Sequence, residues 1–496
     1  MAISTVLLNR ALACSALAFS ITACTSGDAA DVPTQDVGVD VAADALQDVA
    51  VEEAAPPRVM GVPTLVDLND DPHVVEVELR AENSRIDIGL AEPLQMMTYN
   101  RSFPGPLLEA NVGDTVIVHF FNGLDEPTTV HWHGLRIPDA MDGNPRIQEP
   151  VDVGESFTYE FVVPDAGTFW YHPHVRANEQ VERGLYGPII VRDPSVERVA
   201  IERVVIADDL LLSGDTFAPF MASGMEGLHG RTGNVLVGNG TVEILPDGGE
   251  LGAVQGTVEL WHIINTSNAR TFSLSVDGGM PWRVVAVDGG YVEPYTPDRL
   301  TVAVGQRYTV EVTHTDNEWT DVVAHVLSLD ESDNLIEVPI EVYMVNVVAA
   351  EPGQEQEAAP DYPVPPPIAR AIDREVTIEF DGVNGAEGLQ WRLNGVANRE
   401  EPLFTFAEGE TVRMTLRNLA GPEHPFHLHG QFFEIVDQGT IETSQPGLKD
   451  TVLLPGLSEL EIIAYFDNPG RWMAHCHILE HAELGMMSEI VVTPRQ

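Results

Sequence analysis

One pattern governs what this chain can fold into. A glycine opens a Thr-Val strand that runs to an asparagine, and the unit occurs three times. Gly113-Asp114-Thr115-Val116 leads to Asn122, Gly256-Thr257-Val258 to Asn265, and Gly409-Glu410-Thr411-Val412 to Asn418, at spacings of 143 and 153 residues. Self-similarity at that period marks whole domains rather than a short-period solenoid. Around each unit, short Val, Ile, Thr and Phe runs are broken by Gly, Asp, Asn and Pro with little helical periodicity, which predicts all-β sandwiches. We therefore expect three consecutive sandwich domains at 61–197, 198–355 and 372–496, with a Pro-rich linker at 356–371.

A second repeat relates only the outer domains. Gly167-Thr168-Phe169-Trp170-Tyr171-His172-Pro173-His174 parallels Gly470-Arg471-Trp472-Met473-Ala474-His475-Cys476-His477, and the middle domain has no such His-x-His pair. Ten of the sixteen histidines fall in four windows, 131–133, 172–174, 424–429 and 475–481, which span only 19 of the 496 positions. Alternate residues of a strand share a face, so His131 with His133, His172 with His174, and His475 with His477 each aim two imidazoles together. Cys476 points to the opposite face, so its backbone joins a thiolate-bound metal to an imidazole-bound cluster through a few covalent bonds.

A thiolate, two imidazoles and a weak thioether make the ligand set of a blue-copper electron-transfer site. Cys476, His481 and Met486 supply three of these, and His424 can supply the fourth from a neighbouring strand. Zinc competes for Cys and His, but one thiolate amid ten imidazoles and a thioether is an unusual structural zinc set.

The segment before the first sandwich carries its own signals. Residues 1–23 hold one base, Arg10, no acid and a short apolar run, and read as an export signal. The ending Ile21-Thr22-Ala23-Cys24 resembles the lipobox of bacterial lipoproteins, in which the cysteine is acylated; cleavage after an Ala-x-Ala-like site is the alternative. Residues 24–60 then read as an acidic, disordered tether, and we expect an exported, periplasmic or cell-surface lipoprotein held on a lipid membrane through Cys24. With Cys14 in the signal and Cys24 the lipid site, Cys476 is the only thiol left for the folded body, and metal ligation would protect it in an oxidising compartment. The formal charge of −51 would repel a polyanion, so no nucleic acid is expected as a partner.

HWHG at 131–134, HPH at 172–174, HPFHLHG at 424–430 and HCHILEH at 475–481 resemble the four copper signatures of the bacterial, laccase-like, three-domain multicopper oxidases. The similarity runs from about residue 75 to the C-terminus and includes VVAVDGG at 284–290. The resemblance implies three cupredoxin-like Greek-key domains and four coppers per chain. His424, Cys476, His481 and axial Met486 would bind the type 1 copper, and His131 and His427 the type 2 copper. His133, His172, His174, His429, His475 and His477 would hold the type 3 pair. The implied reaction couples one-electron oxidation of phenolic, aromatic amine or similar donors to four-electron reduction of dioxygen to water. Oxidation of cuprous, ferrous or manganous ions is the alternative.

The resemblance also marks Asp142 as a proton donor near the type 2 copper. Many bacterial relatives place a glutamate directly after the last histidine of HCHILEH; here that position is Ala482, and Glu483, or Glu480, would have to substitute. His73, His119, His229, His262, His314 and His325 match no signature and read as structural or surface residues. Met221, Met225 and His229 could form a soft cuprous contact, against a plain loop or core role. A copper-free cupredoxin scaffold would have lost ligands, and all are present here; a copper nitrite reductase would show two domains rather than three repeats.

Overall fold

The structure, a computed structural model, describes residues 58–220, 224–242, 253–276, 282–315, 319–329, 335–350, 357–386, 388–439 and 445–495. The signal, most of the tether and Met221 lie outside the described residues. Residues Ala55–Gln496 form one compact unit. No helix of the described residues is long and apolar enough to cross a membrane.

The three repeat units build the same local structure three times. Each repeat strand lies parallel to an earlier strand of its own domain: Thr115–Gly123 beside Val74–Ile86, Val258–Asn265 beside Ile201–Leu210, and Thr411–Asn418 beside Arg374–Gly385. On its other edge each meets an antiparallel strand, Ser156–Val162, Arg307–Thr313 or Glu459–Tyr465. Parallel neighbours cannot be joined by a tight hairpin, so the chain must cross to the opposing sheet and return. The opening glycines Gly113, Gly256 and Gly409 all take φ between +88° and +92°, a left-handed turn that glycine adopts without strain.

The closing asparagines explain the far end of the repeat. Asn122 donates to the carbonyls of Glu126 and Val151 while its Oδ1 accepts from the Leu124 N–H. Asn265 does the same with Arg270, Val302 and Ser267, and Asn418 with Pro422, Pro455 and Ala420. Each amide is buried and satisfies three backbone groups where the strand turns out of its sheet.

The opposing sheets carry the histidine windows. In the first sandwich the order is Leu108–Asn111, Gly187–Arg192, Gly167–His172 and His131–His133. In the third it is Phe404–Ala407, Met487–Thr493, Gly470–Cys476, His424–Leu428 and Thr451–Leu454. Each sandwich closes over its own apolar core, centred on Trp132 and Tyr159 in the first, Trp261 and Tyr308 in the middle, and Trp472 and Phe426 in the third. Among the described residues the α-helices are few and short: α1 (Ala177–Gln180), α2 (Gly224–His229) and α3 (Leu479–Glu483). The Pro-rich stretch 357–373 carries no strand and is pinned by Tyr362, which donates to Glu311 of the middle sandwich, and by the Ile368 N–H, which donates to Glu434 of the third.

Candidate metal centre

Two antiparallel strand pairs set the centre. His131 pairs with His172 across the first sandwich, and His427 with His475 and Phe426 with Cys476 across the third. The two sheet ends meet, so eight imidazoles from 131, 133, 172, 174, 427, 429, 475 and 477 enclose one space. His131 stacks on His429 at 3.9 Å between ring centroids, and His133 on His427 at 3.7 Å. His477 lies 4.9 Å from His133 and 5.4 Å from His172.

The hydrogen bonds show which nitrogen each ring offers. The Nδ1 atoms of His131, His172, His427 and His475 face the backbone carbonyls of Asp142, Pro173, Asp450 and Cys476 at 2.8–3.0 Å, which makes Nδ1 the donor and leaves Nε2 as a lone pair. Nε2 of His131, His172, His174, His427 and His477 is buried without a partner. His133 is turned round: Nε2 is held by Asp450 and Thr451 at 3.2 Å, and Nδ1 is the unpartnered atom. His429 is held at Nδ1 by Asp142 Oδ2 at 2.8 Å, and its Nε2 faces Nε2 of His475 at 3.1 Å, two acceptors aimed at each other. Buried polar atoms are ordinarily satisfied. Eight inward lone pairs in one space fit a set of metal ions and nothing a hydrogen-bond network supplies.

Electrostatics agree. Burial first, then the neighbouring imidazoles, hold His133, His172, His174, His429 and His477 well below the usual histidine range, and push His475 down to about 3. The rings are neutral at physiological pH and so able to bind a cation.

On the other face of Cys476 lies a second, smaller site. Sγ stands 3.5 Å from His424 Nδ1 and 3.6 Å from His481 Nδ1, and the two nitrogens are 3.1 Å apart. All three residues and Met486 are fully buried. Met486 shares the Cys476 apolar cluster; its carbonyl accepts the Cys476 N–H, and its own N–H donates to His481. Burial pushes the Cys476 thiol up and His481 down to about 3, so only a cation among them makes the thiolate stable. A soft thiolate with two imidazoles fits copper. Cys476 and its neighbours His475 and His477 thus connect the two sites along one strand.

Asp142 is fully buried and bridges two rings, its carbonyl accepting from His131 and its Oδ2 from His429, while Oδ1 stands 3.2 Å from His131 Nδ1 without a hydrogen bond of its own; burial raises its pKa. Glu483 is exposed at the end of α3. The buried acid of that helix is Glu480, which accepts from Asn268 Nδ2 and the Arg231 N–H at 2.9 Å and is pushed up to about 7, chiefly by burial. The helix turns its inner face toward the middle sandwich, and residue 480, not 483, lies on it.

Sequence reasoning missed Asp450. Its carboxylate holds His133, and Arg307 of the middle sandwich grips it at 2.7 and 2.6 Å. Arg307 also faces Asp288, at 3.5 Å, which Lys449 approaches at 3.1 Å, so two buried acids and two buried bases lock the sandwiches behind the cluster. Of these, only Asp288 falls in a noted motif. The six remaining histidines stay outside: His119, His262, His314 and His325 pair with Glu76, Glu202, Glu259 and Glu337, while His73 and His229 are exposed. Met225 is 70% exposed on α2.

Comparison with known proteins converges on one family. Sequence models described as multicopper oxidase match residues 81–196, 225–343 and 361–496. The chain is 28% identical to the multicopper oxidase MmcO of Mycobacterium tuberculosis, over 84% of this chain and 86% of that one. It is 25% identical to Laccase-1 of Cryptococcus neoformans, over 87% and 83%. Among solved structures, a multicopper oxidase of Pseudomonas thermotolerans superposes with a TM-score of 0.73 at 28% identity, covering 85% of this chain and 99% of that one. A laccase-like multicopper oxidase of Ochrobactrum does so with 0.74 at 26%, covering 87% and 99%. Eight inward imidazole nitrogens, a buried Cys-His-His site and three repeated sandwiches therefore have one reading: the chain belongs to the multicopper oxidase family.

Proposed function

We propose that the protein is a laccase-like oxidase that takes electrons singly from phenolic, aromatic amine or similar donors and delivers four of them to dioxygen, giving water. The observation that carries this reading is the strand Gly470–Cys476, whose Cys476 belongs to one site while its neighbours His475 and His477 belong to the other. His424, Cys476, His481 and Met486 would hold a type 1 copper, His131 and His427 a type 2 copper, and His133, His172, His174, His429, His475 and His477 a type 3 pair. Four such coppers, when bound, supply one-electron acceptance at the first site and multi-electron transfer to dioxygen at the other three. The chain's part is to keep the rings neutral, fix which nitrogen each presents, and exclude water from the cluster. Asp142, fully buried and held raised by that burial, is placed to give a proton beside His131 and His429.

The Ochrobactrum relative acts on lignin model compounds and lignosulfonate, which supports aromatic donors; oxidation of cuprous, ferrous or manganous ions is the alternative. The test is anaerobic reduction of copper-loaded protein followed by oxygen, with absorbance at the thiolate-to-copper band recorded for dimethoxyphenol, ferrous and cuprous donors. Bleaching by the phenol and recovery in oxygen are expected; a band that no donor bleaches would overturn the oxidase reading. We also infer an exported lipoprotein anchored through acylated Cys24, supported by the Ile21-Thr22-Ala23-Cys24 ending. Cys24→Ser should release it from membranes, and continued membrane association would count against the anchor.

A further inference from the structure

The single-cysteine site is sealed from solvent. His424 and His481 are fully buried, and the outward nitrogen of His481, Nε2, faces the Leu228 carbonyl of α2 at 3.2 Å. A dissolved donor therefore reaches neither imidazole directly. Outside this seal lies a cavity of about 550 Å³ whose lining includes Leu228, Gly382, Leu389, Leu419, Pro422 and, as its floor, Trp391.

Trp391 joins the cavity to the site. Its ring centroid is 4.5 Å from that of His481 and 5.0 Å from that of His424, and its N–H is fixed by the Gly227 carbonyl of α2 at 2.8 Å. Gly382 covers the ring on the cavity side with nothing but backbone: a Cβ there would stand 2.7 Å from Trp391 Cζ3 and 2.8 Å from Cε3. A larger residue would either displace the indole or wall it off.

The cavity's chemistry selects its occupant. Among the described residues, no group of His, Cys, Asp or Glu able to hold a metal ion lines it, and its lining carboxylate, Asp381, is gripped by Arg392 at 2.9 and 2.6 Å. Among the described residues the lining offers a hydrated cation only the Arg392-paired Asp381 carboxylate and the Asn384 amide as side-chain oxygens, whereas a flat aromatic gains from the walls of Leu228, Leu389, Leu419 and Pro422 over the buried indole.

We propose that Trp391 is the relay through which the electron of an aromatic donor of the class named above, seated in this cavity, reaches the buried site. This rests on the oxidase reading above. In each encounter the aromatic donor would give up one electron to the cupric ion that Cys476, His424 and His481 would hold, leaving it cuprous. A phenolic donor releases its proton to solvent, and Trp391 begins and ends the step neutral.

The test uses full-length, copper-loaded Trp391→Leu and Trp391→Phe, with anaerobic bleaching by dimethoxyphenol, the type 1 reduction potential, the blue band and reoxidation by oxygen all measured. Trp391→Leu should bleach at least about tenfold more slowly at an unchanged potential and band, with Trp391→Phe between it and the parent. Unchanged or faster bleaching in Trp391→Leu, or a slowing accounted for by a shifted potential, would overturn the relay. A second readout needs no turnover: copper-free protein should bind redox-inert trimethoxybenzene in calorimetry, and Gly382→Leu should abolish that binding while keeping the parent's circular dichroism. Binding unaffected by Gly382→Leu would overturn the donor site. Failure of the oxidase reading itself looks different, since the parent would then neither bleach nor recover.

Discussion

Replacing Asp208 by asparagine should leave stability near neutral at about pH 5 and raise it by about 3 kcal/mol at pH 8. Asp208 is buried between Tyr186, whose hydroxyl donates to it at 2.6 Å, and Asp209, whose N–H donates to it at 2.7 Å and whose carboxylate opposes its charge. Burial first, and Asp209 with it, push its pKa from 3.8 up to about 7. The folded state therefore binds a proton that the unfolded chain has already released across that window. The stability tied to the proton is present below about pH 4, drains as pH rises, and is gone above about 7, a loss of roughly 4 kcal/mol at about 1.4 kcal/mol per unit. Asparagine mimics the protonated acid at all pH values but gives up one accepted hydrogen bond, about 1 kcal/mol. Urea unfolding of the copper-loaded pair from pH 5 to 8, followed by tryptophan fluorescence, reads the difference. Parallel stability profiles for parent and Asp208→Asn would refute the reasoning.

Other expectations are narrower. Arg307→Met leaves Asp288 and Asp450 opposed by Lys449 alone and should cost about 3 to 5 kcal/mol in the same urea assay; an unmoved midpoint would show that the buried quartet is dispensable. Asp142→Asn should slow reoxidation by oxygen roughly a hundredfold while donor bleaching keeps its rate, and equal rates in both halves would remove Asp142 from proton delivery. Glu483→Gln, on an exposed position, should change neither half-reaction by more than about twofold, so a large loss would return that residue to the reaction.

What the sequence disclosed depended on whether a structural need leaves a spaced trace. Asn122, Asn265 and Asn418 each satisfy three backbone groups at one strand end, and that demand repeats with the domain, so the architecture was legible. The histidine windows were legible because strand alternation fixes which rings travel together. Asp450 and Arg307 were not: they meet across 143 residues, each standing alone in its own segment. The seal on His481 is a backbone carbonyl, Leu228, which no side-chain pattern announces. Between Glu480 and Glu483, position next to Ala482 pointed to the latter, while the turn of α3 buries the former against Arg231 and Asn268.

The middle sandwich contributes no imidazole, yet Arg307 fixes Asp450, Asp450 takes the Nε2 side of His133, and His133 is left presenting Nδ1 where His131 and His172 present Nε2. Gly305 of the same sandwich lies so close to His133 and His477 that a Cβ would come within 3.0 Å of both. The inheritance unit of this centre is therefore all three domains. A chimera that keeps both ligand-bearing sandwiches but borrows a foreign middle one would retain every donor atom while losing the instruction that tells His133 which way to face.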